Sequence, residues 1–306
     1  MIKTEWQKAP EINIDHKTIS REQINKLYEL RSQVLDWELE TGFLGFFTAN
    51  PGYRYAFTRR LEVLFELLPE LREKRVLEIG CAAGILANAL APYVREYVGI
   101  DVTPTAIQFA RTLSRQLRQF NTRFIVADAH ELPFPAASFD LLITTETYEH
   151  LIEPMRALRE FHRVLRPGGH IVITTPTAPN LSDFCMRLLH FFKRDIYLEE
   201  EAQFDKKAYF SAKRAGKSLP PAAFQRVHFR FSYRKLTADF ENVGFCILRS
   251  KGAVFSLPPY VFATYSILPS PLLPLIRHLE ELLNKIHLFP RWGSFTTGFL
   301  LEKRTP

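Results

Sequence analysis

The feature that most restricts this chain is a rhythm between residues 75 and 176. Short apolar runs (RVLEIG, YVGID, TRFIVAD, FDLLITTE and HIVITTP) alternate with stretches of helical periodicity such as PTAIQFARTLSRQLRQF and PMRALREFHRVL. Apolar runs of this length read as strands, and the segments between them carry the spacing of amphipathic helices. Right-handed crossovers then join the strands into a mostly parallel sheet with helices on both faces, an α/β fold. Pro167-Gly168-Gly169 is the expected stop of the helix PMRALREFHRVL.

The rhythm breaks after Pro176 and returns near the end of the chain. There YRKLTADFENVGF reads as a helix capped by Gly244, with CILRSKGAVF and SFTTGFLLEK as strands. Upstream, residues 18–40 and 54–68 read as helices, the second with Phe57, Leu61, Leu64, Phe65 and Leu68 on one face. A late helix, LLPLIRHLEELLNKI, lines up Leu275, Leu279, Leu282, Leu283 and Ile286, a stripe expected to pack into the core. Four parts follow: a helical cap (1–69), the alternating core (70–176), a basic, partly helical insertion (177–231) and a closing part (232–306). The last contains an apolar helical insertion at 254–293.

Composition narrows the class. The chain has 306 residues, 46% of them hydrophobic, which suffices for a large buried core. Its formal charge is +7, and basic residues outnumber acids between Arg187 and Lys235. Such a patch suits an anionic partner or forms a solvated face. The three cysteines, Cys81, Cys185 and Cys246, lack zinc-finger spacing and are odd in number, so neither a metal site nor a disulfide framework is expected. A reducing, cytoplasmic compartment is the matching expectation. Residues 252–276 are uncharged, but prolines 258, 259, 269, 271 and 274 argue against a spanning helix. The segment is expected to be buried or interfacial.

Three places in the core carry chemistry. VLEIGCAAG, residues 76–84, delivers Glu78 from a strand into a turn with Gly80, Cys81 and Gly84, opening a helix. Small residues let a ligand approach the backbone, and the helix start offers free N–H groups. The nicotinamide fingerprint fails, because Ala82 and Ile85 stand where glycines are needed. Asp101 follows at the tip of YVGID, about twenty residues on, where a carboxylate accepts both ribose hydroxyl protons. Its alternative use is to cap the helix that begins at Pro104. Asp128 and Ala129 close FIVAD and offer an acceptor and an N–H to an adenine edge.

VLEIGCAAG, YVGID, VADAHELPFPAASFDLLITTETYEHL and RVLRPGGHIVITTP, in this order, resemble the class I S-adenosylmethionine (SAM)-dependent methyltransferases. The group that includes the quinone-biosynthesis methyltransferases is the most similar. The likeness covers 70–176 and reaches HFRFSYRKLTADFENVGF at 228–245. It implies a Rossmann-like three-layer sandwich of seven strands with the last one antiparallel. The extra parts are then N-terminal helices and insertions after strand 5 and between strands 6 and 7. It also implies SAM as cofactor. Gly80 and Gly84 would flank its methionine part, Asp101 would take the ribose, and Val102 would pack on the adenine. Asp128 with Ala129 would read the adenine amino group, and Thr145 would lie near the sulfonium. Many members have Gly where Ala82 stands.

Methyl transfer needs a positioned acceptor and, for a hydroxyl or acidic carbon, a base. His150 and Glu149, in the loop after the fourth strand, are the candidates, and both have an alternative role in packing the next helix. His228 is more readily a surface or capping residue. FFTANPGY, DFCMRLLHFF, SLPPYVFATYSIL and LHLFPRW are aromatic and aliphatic, as linings for a lipophilic acceptor are. The expected reaction is O- or C-methylation of a quinol, phenol, polyketide or lipid, with peripheral contact to an anionic membrane through the basic insertion. An RNA methyltransferase is the rival reading, although no nucleic-acid module appears. A non-catalytic scaffold of the same fold is the other.

Overall fold

The computed structural model describes residues 51–177, 231–255, 272–285, 290 and 294–305. The expected helix at 18–40, most of the basic insertion with His228, and the proline-rich part of the apolar insertion lie outside the described residues.

Seven strands form one sheet: β1 (Arg75–Ile79), β2 (Glu96–Asp101), β3 (Thr122–Val126), β4 (Phe139–Thr145), β5 (Leu165–Pro176), β6 (Phe245–Phe255) and β7 (Ser294–Lys303). Their order is β3-β2-β1-β4-β5-β7-β6. All neighbours pair in parallel except that β7 runs antiparallel to both β5 and β6. This is the α/β sheet that the rhythm predicts, with the final strand reversed. Between the strands run the helices α1 (Pro51–Leu67), α2 (Ile85–Leu90), α3 (Pro104–Gln116), α4 (Pro154–Val164), α5 (Tyr233–Val243) and α6 (Leu273–Lys285).

Strand pleating sends alternate side chains to two cores. Val76, Leu141 and Ile143 meet Val63, Leu64 and Leu67 of α1 on one face. Leu77, Ile79 and Leu142 meet Leu158 and Phe161 of α4 and Phe240 of α5 on the other. The central strands β1 and β4 are therefore apolar for most of their length, which is why they stand out in the sequence.

Helix α4 ends at Val164, one residue short of the expected segment and three before Pro167, and buried Leu165 is already extended and pairs with Phe139. Its terminal carbonyls are served by Lys303 of β7, whose Nζ donates to the oxygens of His162 (2.8 Å) and Leu165 (2.7 Å).

One expectation needs correction, that for α6. Its leucine stripe does not enter the core: Leu275, Leu279 and Leu282 are 66%, 41% and 52% exposed. Leu283 is half-buried, and Ile286 lies outside the described residues. The helix docks instead through charges. Glu280, fully buried, accepts from Arg59 Nε of α1 at 2.7 Å, and Arg59 also reaches Glu281 (2.7 Å) and Glu62. Arg277 approaches Glu62 at 3.2 Å, and Lys251 of β6 binds Glu281 at 2.8 Å. Asn284 exchanges two hydrogen bonds with the backbone of Gly252. Burial opposes the Arg59 charge, but Glu280 and Glu62 outweigh it and keep the guanidinium ionised.

Candidate functional site

The strand order reverses direction between β1 and β4, and ligands in open α/β sheets sit beyond the carboxyl ends of the strands at that point. Glu78 and Gly80 (at β1), Asp101 (β2), Asp128 (after β3) and Thr145 (β4) all stand at this end.

The turn after β1 is built by left-handed backbone at Gly80 (φ 73°), Ala82 (φ 44°) and Gly84 (φ 73°). A side chain at Gly80 would collide with Thr147, so the glycine admits the loop after β4. One at Gly84 would meet Ala110 and the Phe124 ring, so that glycine lets α3 and β3 close beneath the turn. Ala82 occupies a conformation in which glycine is unstrained, which explains the glycine of the family pattern.

Asp101 is not the helix cap, because Thr103 holds that position, and its carboxylate is instead shared between two backbone donors. Its Oδ1 accepts the N–H of Thr103, the N-cap of α3, at 2.8 Å. Its Oδ2 accepts the N–H of Ala82 at 3.0 Å, tying the tip of β2 to the turn after β1. Each carboxylate oxygen can accept a second hydrogen bond, so the same group remains able to receive hydroxyl protons. Val102 beside it is half-buried.

Beneath the turn, Glu78 is buried and accepts from Tyr97 Oη at 3.1 Å. Burial pushes its pKa up to about 8; the Tyr97 hydrogen bond opposes this and the Asp101 charge adds to it. A cation brought close would ionise Glu78. Cys81 is buried, and burial, aided by Glu78 and Asp101, raises its thiol pKa well above the usual value. Among the described residues no His, Cys, Asp and Glu cluster could hold a metal ion.

Asp128 is partly exposed, and its Oδ1 is held by its own loop: by the His130 backbone N–H at 2.9 Å and His130 Nδ1 at 2.5 Å. Ala129 is buried.

The loop after β4 brings Glu146, Glu149 and His150 to the same end. Glu146 has a left-handed φ of 49°, a strain that clusters at functional sites. Its carboxylate faces Arg60 of α1 at 3.3 Å, and Arg60 lies over the Phe295 ring at 5.5 Å. Glu149 is buried and accepts from Thr175 Oγ1 at 3.2 Å. Burial, reinforced by the Glu146 charge, raises its pKa well above the usual carboxylate value. His150 Nε2 lies 3.9 Å from Glu149 Oε1, and the ring is one-third exposed.

Sequence reasoning finds Glu78, Asp101, Asp128, Glu149 and His150 but misses Arg60, Tyr97, His130, Glu146 and Thr175. Arg60 lies in a helix beside Arg59 and Glu62, where one more charge reads as solvent face. His130 had a usable signal, since it stands two residues after Asp128.

Comparison with known proteins bears on this site. Residues 77–173 match a family described as a methyltransferase domain. An uncharacterised methyltransferase of Bacillus subtilis, YcgJ, is 33% identical over 143 residues, 46% of this chain and 56% of that protein. A ubiquinone biosynthesis O-methyltransferase of Alkalilimnicola ehrlichii is 30% identical over 118 residues, 38% of this chain and 47% of that protein. The chain thus spans about half the length of these curated relatives. The structure of the [4+2]-cyclase SpnF has a TM-score of 0.52 at 18% identity, covering 81% of this chain and 82% of that one. At that identity the likeness is one of fold, and a fold hosts several chemistries. Residues 77–173, which carry most of β1 to β5, are thus similar to a methyltransferase domain.

Proposed function

We propose that the chain is a SAM-dependent methyltransferase acting on a small lipophilic acceptor, by O- or C-methylation of a quinol, phenol, polyketide or lipid. The observation that carries the cofactor reading is the Asp101 carboxylate bonded across to Ala82 of the glycine turn. It sets a hydroxyl-receiving acid against a backbone cradle at the switch point of the sheet. When bound, SAM supplies a methyl group already activated on a sulfonium. Gly80, Cys81 and Gly84 shape the cradle, and Glu78 beneath it answers the cationic tail by ionising. Asp101 takes the ribose, Val102 the adenine face, Asp128 and Ala129 the adenine edge, and Thr145 flanks the reacting end.

His150 then serves as the base that takes the acceptor's proton. Glu149, buried beside it at 3.9 Å, orients His150 or takes part in the proton transfer itself. The apolar character of the flanking segments and the ubiquinone-pathway relative support a lipophilic acceptor. Peripheral contact with an anionic membrane is consistent with the +7 charge. No described helix is long and apolar enough to cross a membrane.

The test is methyl transfer from labelled SAM to a panel of catechols, quinols and fatty-acid-like acceptors, with tRNA and rRNA in parallel. Labelling of a lipophilic acceptor that falls about 100-fold in His150→Ala, the scale of general-base loss, supports the reading. Labelling of RNA alone would overturn the acceptor class. No transfer by a protein that binds SAM would favour a scaffold.

A further inference from the structure

The outward face of α6 is a surface that the proposed reaction does not use. Leu275, Leu279 and Leu282 stand on it, and Leu272, just ahead of the helix, is 42% exposed. At 3.6 residues per turn the three helical leucines fall within about 60° of one another, so they form one stripe. Single surface leucines need no explanation, but a continuous outward stripe marks a contact surface. The ionisable side chains of the helix are sorted around it. Both carboxylates are engaged by cations of the fold, Glu280 by Arg59 and Glu281 by Arg59 and Lys251. Arg277 is turned to Glu62. His278 and Lys285 are exposed, and helical spacing puts both along one flank of the stripe. The outward face is therefore apolar with a cationic edge. In the sequence, the uncharged run 252–276 ends in the first turn of this helix.

We propose that this face of α6 rests in the headgroup region of an anionic phospholipid bilayer. The inference deepens the reading of a lipophilic acceptor and rests on it. The leucines enter the acyl boundary, Lys285 meets lipid phosphate, and the acids stay against the protein, where they repel no lipid. An interfacial helix usually turns its polar face to water. Here that face is bound by Arg59, Lys251 and the Gly252 backbone, which leaves the apolar face for lipid. Consecutive residues of α1 join this helix to the reaction site: Arg59 holds α6, and Arg60 faces Glu146 in the loop that carries Glu149 and His150. Docking through α6 then brings that loop towards the bilayer that carries the acceptor. A second copy of this chain would also cover the leucines, but neither copy has a carboxylate left on this face to meet Lys285.

The test is sedimentation of the full chain with vesicles of mixed phosphatidylglycerol and phosphatidylcholine, and of phosphatidylcholine alone, without cofactor or acceptor. Wild type should bind the mixed vesicles more tightly. Leu275→Ser with Leu279→Ser should weaken binding to both kinds by about 10-fold or more, the scale of two leucines partly withdrawn from an apolar phase. Lys285→Gln should weaken binding to the mixed vesicles about fivefold, the share of one cation at an anionic surface, and leave phosphatidylcholine binding unchanged. The leucine double variant should melt with wild type, so that its loss of binding is not unfolding. Equal binding by wild type and the double variant would overturn the proposal. So would a double variant that melts far lower, because its leucines would then be covered by the chain itself. A wild-type dimer that the double variant dissolves, with vesicle binding unchanged, would assign the face to a second copy instead. Vesicle binding is read without methyl donor or acceptor, so its failure is distinct from labelling of RNA alone, which would overturn the acceptor reading.

Discussion

Helices α4 and α6 both lie against the sheet and both mix leucines with charges at helical spacing, yet they face opposite ways. Helix α4 turns Ala157, Leu158, Phe161 and Val164 inward. Helix α6 turns Glu280 inward to Arg59 and leaves Leu275, Leu279 and Leu282 outside. The difference lies in the neighbour. Helix α4 meets the apolar face of the sheet and Phe240 of α5, whereas α6 meets the Arg59–Glu62 pair of α1. A stripe of leucines marks a buried face only where an apolar surface awaits it. A buried arginine needs carboxylates more than a leucine needs cover.

Removing the central side chain of either contact should produce the largest effects and then separate the two. Phe161→Ala and Arg59→Ala are each expected to cost about 3–5 kcal/mol in urea denaturation, the first by a cavity and the second by stranding buried Glu280. Rescue should differ. Arg59→Met combined with Glu280→Leu should recover most of the loss, because an apolar replacement of an ion pair is often neutral. If the double variant is as unstable as Arg59→Ala, the seam is not held by charge.

A buried acid without a basic partner sharpens the comparison next. Glu280 has Arg59, whereas Glu78 has the Tyr97 hydroxyl and a pKa pushed up to about 8. Its folded-state pKa lies above the unfolded 4.5, so its stabilising effect is complete below pH 4.5 and is lost as pH rises towards 8. Melting curves of the ligand-free protein should therefore shift downward across that window, by the equivalent of a few kcal/mol. Glu78→Gln should flatten the slope, and so, in the same direction, should Glu149→Gln. A slope that survives both substitutions would show that other groups set it.

The smallest effect belongs to the outward stripe. Leu275→Ser with Leu279→Ser should change stability by no more than about 0.5 kcal/mol, the usual range for surface sites. Leu158→Ala in α4 should cost about 2–5 kcal/mol. A large loss from the α6 pair would mean that its leucines are covered after all.

The same contrast explains what the sequence discloses. The central strands are legible because both faces are apolar, and β7 matches SFTTGFLLEK at both ends. The cofactor end is legible because turn geometry demands small residues at Gly80 and Gly84, and because Asp101 must end its strand. The α1–α6 seam is not, because Arg59 and Glu280 are 221 residues apart and each alone resembles a solvated charge. The end of α4 is legible from Pro167, but its partner is not, because Lys303, which serves its last carbonyls, lies far along the chain. His130 escapes because its second partner is a backbone N–H across a loop.

The central claim is that the Asp101–Ala82 constellation holds a nucleoside cofactor. Calorimetric titration with S-adenosylhomocysteine, on wild type and Asp101→Ala, tests it most directly. Micromolar binding by wild type, weakened by about 1–3 kcal/mol in the variant, is the result expected for loss of a hydrogen-bonding carboxylate. A well-folded wild type that binds no S-adenosylhomocysteine would contradict the account and leave only the fold in common with the methyltransferases.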